Sequence, residues 1–243
     1  LKKMTVEETN RVLEILPIAA WPFPKVLLGV LLERSVSYAD SVFHGFMHLA
    51  AQGVPFVKLP YARTDVARNK MATALLQSEY THLLMLDVDH YHPTNIVQML
   101  SRWVMTNPEH KVVGGLNFKR SYPHEPCCFM FTENGIYSPA EWDKGLIKVD
   151  AIGTGSILIS REVFETIEPP WFYNIYDDAW RDEWPGEDMG FSKKCRDAGI
   201  DMWVDTTCTS PHVTERLIDQ DDFKKALEER SGEIIDIQTM VQA

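Results

Sequence analysis

The sequence predicts an α/β domain with a mostly parallel central sheet flanked by helices, and a less regular C-terminal half. Three observations predict it. Residues 25–115 alternate short apolar runs with segments of helical periodicity, the pattern of repeated strand–helix–strand units. The run at 25–32 is continuous rather than alternating, as expected of a strand covered on both faces. A hydrophobic fraction of 45% over 243 residues is enough for one substantial core.

The elements follow in order. Residues 1–24 read as a peripheral N-terminal segment, in which Thr5 and Glu8 are spaced for a capping box. The first strand, 25–32, ends in charge at Glu33 and Arg34. A helix over 38–52 places Val42, Phe43, Phe46, Leu49 and Ala50 at helical spacing, with Gly53 as a natural stop. Residues 56–59 are a second strand. Residues 65–77 are the next helix, which Asp65 is placed to cap. The third strand, 81–86, runs straight into Asp87-Val88-Asp89. Beyond Pro93 come a helix over 95–105 and a fourth strand at 111–115. In the second half, 128–131, 146–149 and 156–159 read as strands and 161–167 as a short helix. Residues 169–185 are rich in Trp, Tyr and Asp without periodicity, and read as a long functional loop. A helix at 188–198 closes at Gly199, a strand at 202–205 follows, and 223–230 form a polar terminal helix. The expected domain is therefore 25–213, in halves 25–120 and 121–213, with a helical tail at 214–243.

Bulk properties narrow the partners. A net charge of -11 repels a phosphate backbone and makes nucleic acid the less favoured partner, although a local basic patch stays compatible with it. A polyanionic ligand would then need a cation, an arginine or a helix N-terminus. No apolar run is long enough to span a membrane, and no signal-peptide pattern is present. Cys127, Cys128, Cys195 and Cys208 contain no C-x-x-C pair, which argues against a zinc ribbon or a disulfide framework. A reducing cytoplasm is the expected location.

The sharpest chemical signal is Asp87-Val88-Asp89, two carboxylates where a buried strand ends. Ligands of open parallel sheets bind beyond the carboxyl ends of the strands. Two aspartates there repel unless a cation or hydrogen-bond donors neutralise them, and Mg²⁺ or Mn²⁺ bridging a diphosphate would do so. A strand-end turn capped by aspartates is the plainer reading. His90 and His92 alternate with Val88, and either reach the ion and phosphates or sit in a solvated loop. His212, just after the last strand, is an imidazole ligand candidate suited to Mn²⁺ or Zn²⁺, or else a packed histidine. Glu187 and Asp188 open a helix, where acids are favoured in any case. The functional alternative is a carboxylate that deprotonates an acceptor hydroxyl. Trp171, Tyr173, Tyr176 and Trp180 are candidate stacking surfaces or ordinary core residues. Arg63, Asp65, Arg68, Asn69 and Lys70 form a polar group in which Arg68, three residues from Asp65, meets a phosphate, holds Asp87, or makes a surface ion pair. Ile152-Gly153-Thr154-Gly155-Ser156 is not a dinucleotide fingerprint, because Leu158 stands where the third glycine is required and a strand follows. Its glycines let the backbone approach a sugar closely, or form a turn.

Together these residues resemble the GT-A class of glycosyltransferases, particularly its family-2-like group. The resemblance rests on the first strand leading to Glu33, on Arg63 to Ala72 ahead of Leu86-Asp87-Val88-Asp89, on the glycine-containing strand from Gly153 to Ile159 followed by Phe164, and on Gly186-Glu187-Asp188 followed by His212. It implies a hexosyl transfer from a nucleotide-diphosphate sugar, a UDP- or GDP-sugar by preference, to an acceptor hydroxyl, with Mn²⁺ or Mg²⁺ on the diphosphate. Asp87 would contact the ribose, the metal or a metal-bound water. Asp89 would bind the metal, with His212 as a third ligand. Glu33, Arg63, Asp65 and Arg68 would surround the nucleoside and diphosphate beside Val88. Asp188 would be the catalytic base of an inverting enzyme, with Glu187 next to it; in a retaining enzyme an acid here holds a sugar instead. The Q-x-x-R-W element of processive synthases is absent, and with a short C-terminal part free of membrane helices a processive synthase is not expected. A nucleotidyltransferase of similar fold is the nearest alternative, although the basic glycine-rich loop expected after its first strand is missing. A non-catalytic nucleotide-sugar-binding module is the other.

Overall fold

The structure is a computed structural model that describes residues 4–21, 23–31, 45–59, 62–121, 124–133, 137–175 and 185–213. Glu33, Arg34, Tyr176, Trp180, the first part of the helix expected over 38–52, and the helix expected over 223–230 lie outside the described residues. Contacts divide the chain into units Leu1–Val213 and Thr214–Ala243, and the described residues all belong to the first.

Helix α1 (Val6–Ile15) starts with the reciprocal Thr5–Glu8 capping box that the sequence predicts. Strand β1 (Val26–Leu31), helix α2 (Met47–Ala51), strand β2 (Phe56–Leu59), helix α3 (Thr64–Leu76), strand β3 (His82–Asp87), helix α4 (Ile96–Thr106) and strand β4 (Val112–Leu116) then alternate as expected. Arg63, not Asp65, occupies the N-cap of α3. Asp65 sits in the first turn and takes a two-point contact from the Arg63 guanidinium instead of pairing with Arg68.

Beyond β4 come strands β5 (Cys128–Phe131), β6 (Tyr137–Pro139), β7 (Leu146–Val149), β8 (Ala151–Ile152) and β9 (Ser156–Ser160). Helices α5 (Arg161–Thr166) and α6 (Glu187–Asp197) and strand β10 (Met202–Thr209) complete the order. The large sheet runs β2-β1-β3-β9-β4-β10-β7, and a small sheet runs β6-β5-β8.

The large sheet is mixed, which corrects the expectation of a mostly parallel one. β2, β1 and β3 are parallel, and β4 is parallel to β10, but β9 lies antiparallel between β3 and β4, and β7 antiparallel to β10. Parallel neighbours need a crossover, usually a helix. None intervenes between β4 and β9 among the described residues; the chain instead builds the small sheet and returns in the opposite sense.

Every central strand feeds two cores. Leu83 and Met85 face Ala67, Met71 and Leu75 of α3, while Leu84 and Leu86 face Ile96, Leu100 and Val104 of α4. Ile18 and Trp21 join the second core. This two-sided burial is why the strand sequences are continuous apolar runs. No helix among the described residues is long and apolar enough to cross a membrane.

Candidate functional site

One edge of the large sheet collects the carboxyl ends of β3, β4 and β10. The antiparallel β9 brings its beginning there, so Ser156 lies opposite Leu86 and the Asp87 N–H donates to the Gly155 carbonyl at 2.9 Å. Helix α3 follows β2 and therefore starts at the same edge, placing Thr64 and Arg68 one turn apart beside it. A cavity of about 270 Å³ opens here, lined by Thr64, Arg68, Asp87, Val88, Asp89, His90, Asn117, Cys127, Gly153, Thr154, Gly155, Glu187, Asp188 and His212.

Arg68 is the buried hub. Its Nη2 donates to both Asp87 carboxylate oxygens at 2.9 and 3.0 Å, its Nε to Glu187 Oε1 at 3.0 Å, and its Nη1 to the Thr154 carbonyl at 3.3 Å. Burial opposes its charge, but Asp87 and Glu187 outweigh it and hold the guanidinium above its ordinary pKa. Of the roles open to Arg68 in the sequence, holding Asp87 is the one observed. Asp65 is held below the usual carboxylate range, first by its bond from Arg63.

The turn after β3 is pinned by histidines rather than solvated. His92 is 4% exposed, and its ring nitrogens meet the Asp87 carbonyl at 2.8 Å and the Ser210 hydroxyl at 3.0 Å. His90 is 3% exposed and forms an isolated bridge with His212; the flanking Tyr91 N–H donates to Pro211 and the Val213 N–H to Asp89. The His90 and His212 rings lie 3.8 Å apart between centroids. A Cβ on Gly155 would come within 2.8 Å of the His90 ring, so this glycine makes room for a histidine.

Asp89, His90 and His212 can hold a metal ion: each offers a ligand atom, and these atoms lie within 4.8 Å of one another. The donor chemistry fits. The His212 Nδ1 lies 2.5 Å from the Phe118 carbonyl, which only accepts, so Nδ1 carries the proton and Nε2 a lone pair. That Nε2 faces Asp89 Oδ2 at 3.8 Å, two acceptors that a cation between them would satisfy. Burial pushes the His90 pKa down to about 4 and lowers that of His212, so both are neutral, the ligating form, near pH 7. His90 Nδ1 meets Asp89 Oδ1 at 3.0 Å, while its buried Nε2 has no hydrogen-bond partner among the described residues. Asp87, committed to Arg68, is not part of this cluster.

Across the cavity, Asp188 has its pKa pushed up to about 6, first by burial and then by the Glu187 charge; the Met189 N–H, donating to its Oδ1 at 2.8 Å, works in the other direction. Asn117 was given no role by the sequence. It is 3% exposed, its Oδ1 accepts from Ser156, and its Nδ2 has no partner among the described residues. Trp171 is not a stacking surface: it is buried against Phe164 and donates to the Phe164 and Ile167 carbonyls. Tyr173 is half-buried beneath the Lys194 ammonium.

With this geometry in view, comparison with solved structures gives A197 from STIV at a TM-score of 0.58, with 18% identity over 78% of this chain and 86% of that one. GalNAc-T7, crystallised with UDP, GalNAc and Mn²⁺, superposes at 0.53 with 10% identity, over 78% of this chain and 44% of that one. The α/β fold resembles the GT-A architecture. At these identities the likeness is one of fold. The sequence matches no protein-family model, and no curated protein matches it.

Proposed function

We propose that this chain is a divalent-metal-dependent glycosyltransferase that moves a sugar, a hexosyl group by preference, from a nucleotide-diphosphate sugar to an acceptor hydroxyl. The observation that carries this reading is the Asp89–His90–His212 cluster, which opens on the same cavity as Asp188 at the ligand edge of a GT-A-type sheet. GalNAc-T7 shares that fold and was crystallised with UDP, GalNAc and Mn²⁺, and the same classes of ligand suit these donors. UDP- and GDP-sugars are the donors favoured here. At about 270 Å³ the described walls enclose less than a typical ligand pocket of about 300–1,000 Å³, enough for part of such a donor.

Asp89, His90 and His212 would hold Mn²⁺ or Mg²⁺, and the bound ion supplies charge neutralisation on the departing diphosphate. Arg68 fixes Asp87 and Glu187, so Asp87 acts as a rigid acceptor for a ribose hydroxyl or a water, next to Val88. Arg63 and Asp65, at the start of α3 next to the cavity-lining Thr64, would border the nucleoside. Glu187 is engaged by Arg68, which leaves Asp188 as the base that takes the acceptor proton in an inverting reaction. With a pKa of about 6 it is ionised at pH 7 yet basic enough to accept a proton. In a retaining reaction the same carboxylate positions a sugar hydroxyl.

Calorimetry with UDP-, GDP-, CMP- and dTDP-sugars, in Mn²⁺ and in EDTA, tests the reading. Metal-dependent binding of one donor, lost in Asp89→Ala, is expected. A folded, metal-loaded sample that binds none of them would sink it.

A further inference from the structure

The two motif acids are served by two arginines of opposite character. Asp87 has Arg68, whose side chain is 3% exposed and shared with Glu187, so it has no route out of the fold. Asp89 has Arg120, whose Nη2 pairs with Oδ2, the oxygen that also faces His212 Nε2. The Arg120 side chain is 37% exposed, and no other ion pair of the described residues holds it.

We propose that Arg120 is a built-in counter-ion that competes with the divalent metal for Asp89 and so sets the protein's affinity for the free ion. The inference rests on the metal reading above and deepens it. A carboxylate only 17% exposed requires a positive partner, and Arg120 provides one. Guanidinium is charged at every physiological pH, so only a stronger cation removes it. A divalent ion bound between Asp89 Oδ2 and His212 Nε2 enters where Arg120 now approaches, and it must displace the guanidinium or accept its repulsion at short range.

The local backbone lets the side chain leave while the turn stays. Phe118 is fixed by its bridge to Pro126 and by its carbonyl on His212, and Lys119 donates its N–H to the Glu125 carbonyl at 2.9 Å. Swinging Arg120 into solvent therefore leaves the ligand histidine in place. It also changes the charge of the site in a useful sense. Exchanging one positive charge for two creates an excess that an incoming diphosphate neutralises, so the ion alone is held weakly and the ion with its anion strongly.

Calorimetry of the full chain with Mn²⁺ alone tests this in the wild type, Arg120→Gln, Arg120→Lys and Lys119→Gln. Lys119 pairs with Glu125 and does not touch Asp89, so Lys119→Gln controls for the loss of a nearby charge. Arg120→Gln is expected to tighten Mn²⁺ binding roughly tenfold, the scale of one charge-assisted contact. Arg120→Lys should fall in between, and Lys119→Gln should stay within about twofold. Equal or weaker binding by Arg120→Gln, or equal tightening by Lys119→Gln, would overturn the proposal alone. No binding by either the wild type or Arg120→Gln would overturn it together with the metal reading.

Discussion

A buried guanidinium must find its counter-charges inside the fold, and Arg68 finds them in Asp87 and Glu187. Arg68→Met should therefore cost about 3–5 kcal/mol in urea unfolding, because it strands two acids in the cavity. Arg68→Lys should recover only part of this, since an ammonium cannot span both carboxylates. Asp188 makes a different prediction. On the proposed mechanism, product formation should fall as pH drops through about 6, where the Asp188 carboxylate becomes protonated. A flat rate between pH 5 and 7 would remove it from that role. At this scale the sequence singled out Asp87, Asp89 and Asp188, which the fold brings to one cavity, whereas Asp65, expected to cap its helix, does not cap it. The sequence left His90 open between ion and solvent, because a histidine in a turn reads equally well as solvated, and the bridge to His212, far along the chain, turns it inward. Asn117 carried a fainter signal: a lone amide directly after an apolar strand, at the ligand edge of the sheet.

Elements were legible in type and less so in direction. All five residues of β9 are buried, so its sequence has no alternation to reveal a face and nothing to reveal a sense. The small sheet was half seen: β5 stood out as Cys-Phe-Met-Phe, while the three residues of β6 and the two of β8 are too short to carry a period. The joint between α3 and α5 was not visible either. Arg161, first residue of α5, donates to the carbonyls of Leu75, Leu76, Ser78 and Tyr80, closing the C-terminal end of α3. These acceptors belong to the last turn and exit of a helix that needs them satisfied. Arg161→Met should lower stability by about 2 kcal/mol and speed amide exchange at the end of α3 ahead of the sheet. Unchanged exchange there would show that water replaces the arginine.

For the molecule as a whole, acid stability should be governed by its buried imidazoles. Burial pushes the pKa of His82 down to about 3, with His92 at about the same value. The unfolded chain takes up these protons near pH 6.5, whereas the fold refuses them until about pH 3, so stability is complete above 6.5 and lost as pH falls through that window. Each such histidine contributes a slope of about 1.4 kcal/mol per pH unit. Asp188 acts in the opposite sense between its unfolded value and about 6, since the folded carboxyl protonates first and gains stability as pH falls. Urea midpoints at pH 7 and 5 should show a net loss, smaller in His82→Leu; no difference between the variant and the wild type would mean that His82 titrates normally. The central place of β9 has one more consequence. Strands β1, β2 and β3 are neighbours in sequence and in space, but β9 can enter between β3 and β4 only after most of the chain has been made. Asp89 comes from before that event and His212 from after it. A nascent or half-folded chain thus lacks the complete Asp89–His90–His212 cluster, and on the proposed metal reading capture of Mn²⁺ in a stopped-flow refolding trace would follow the docking of β9 and β10.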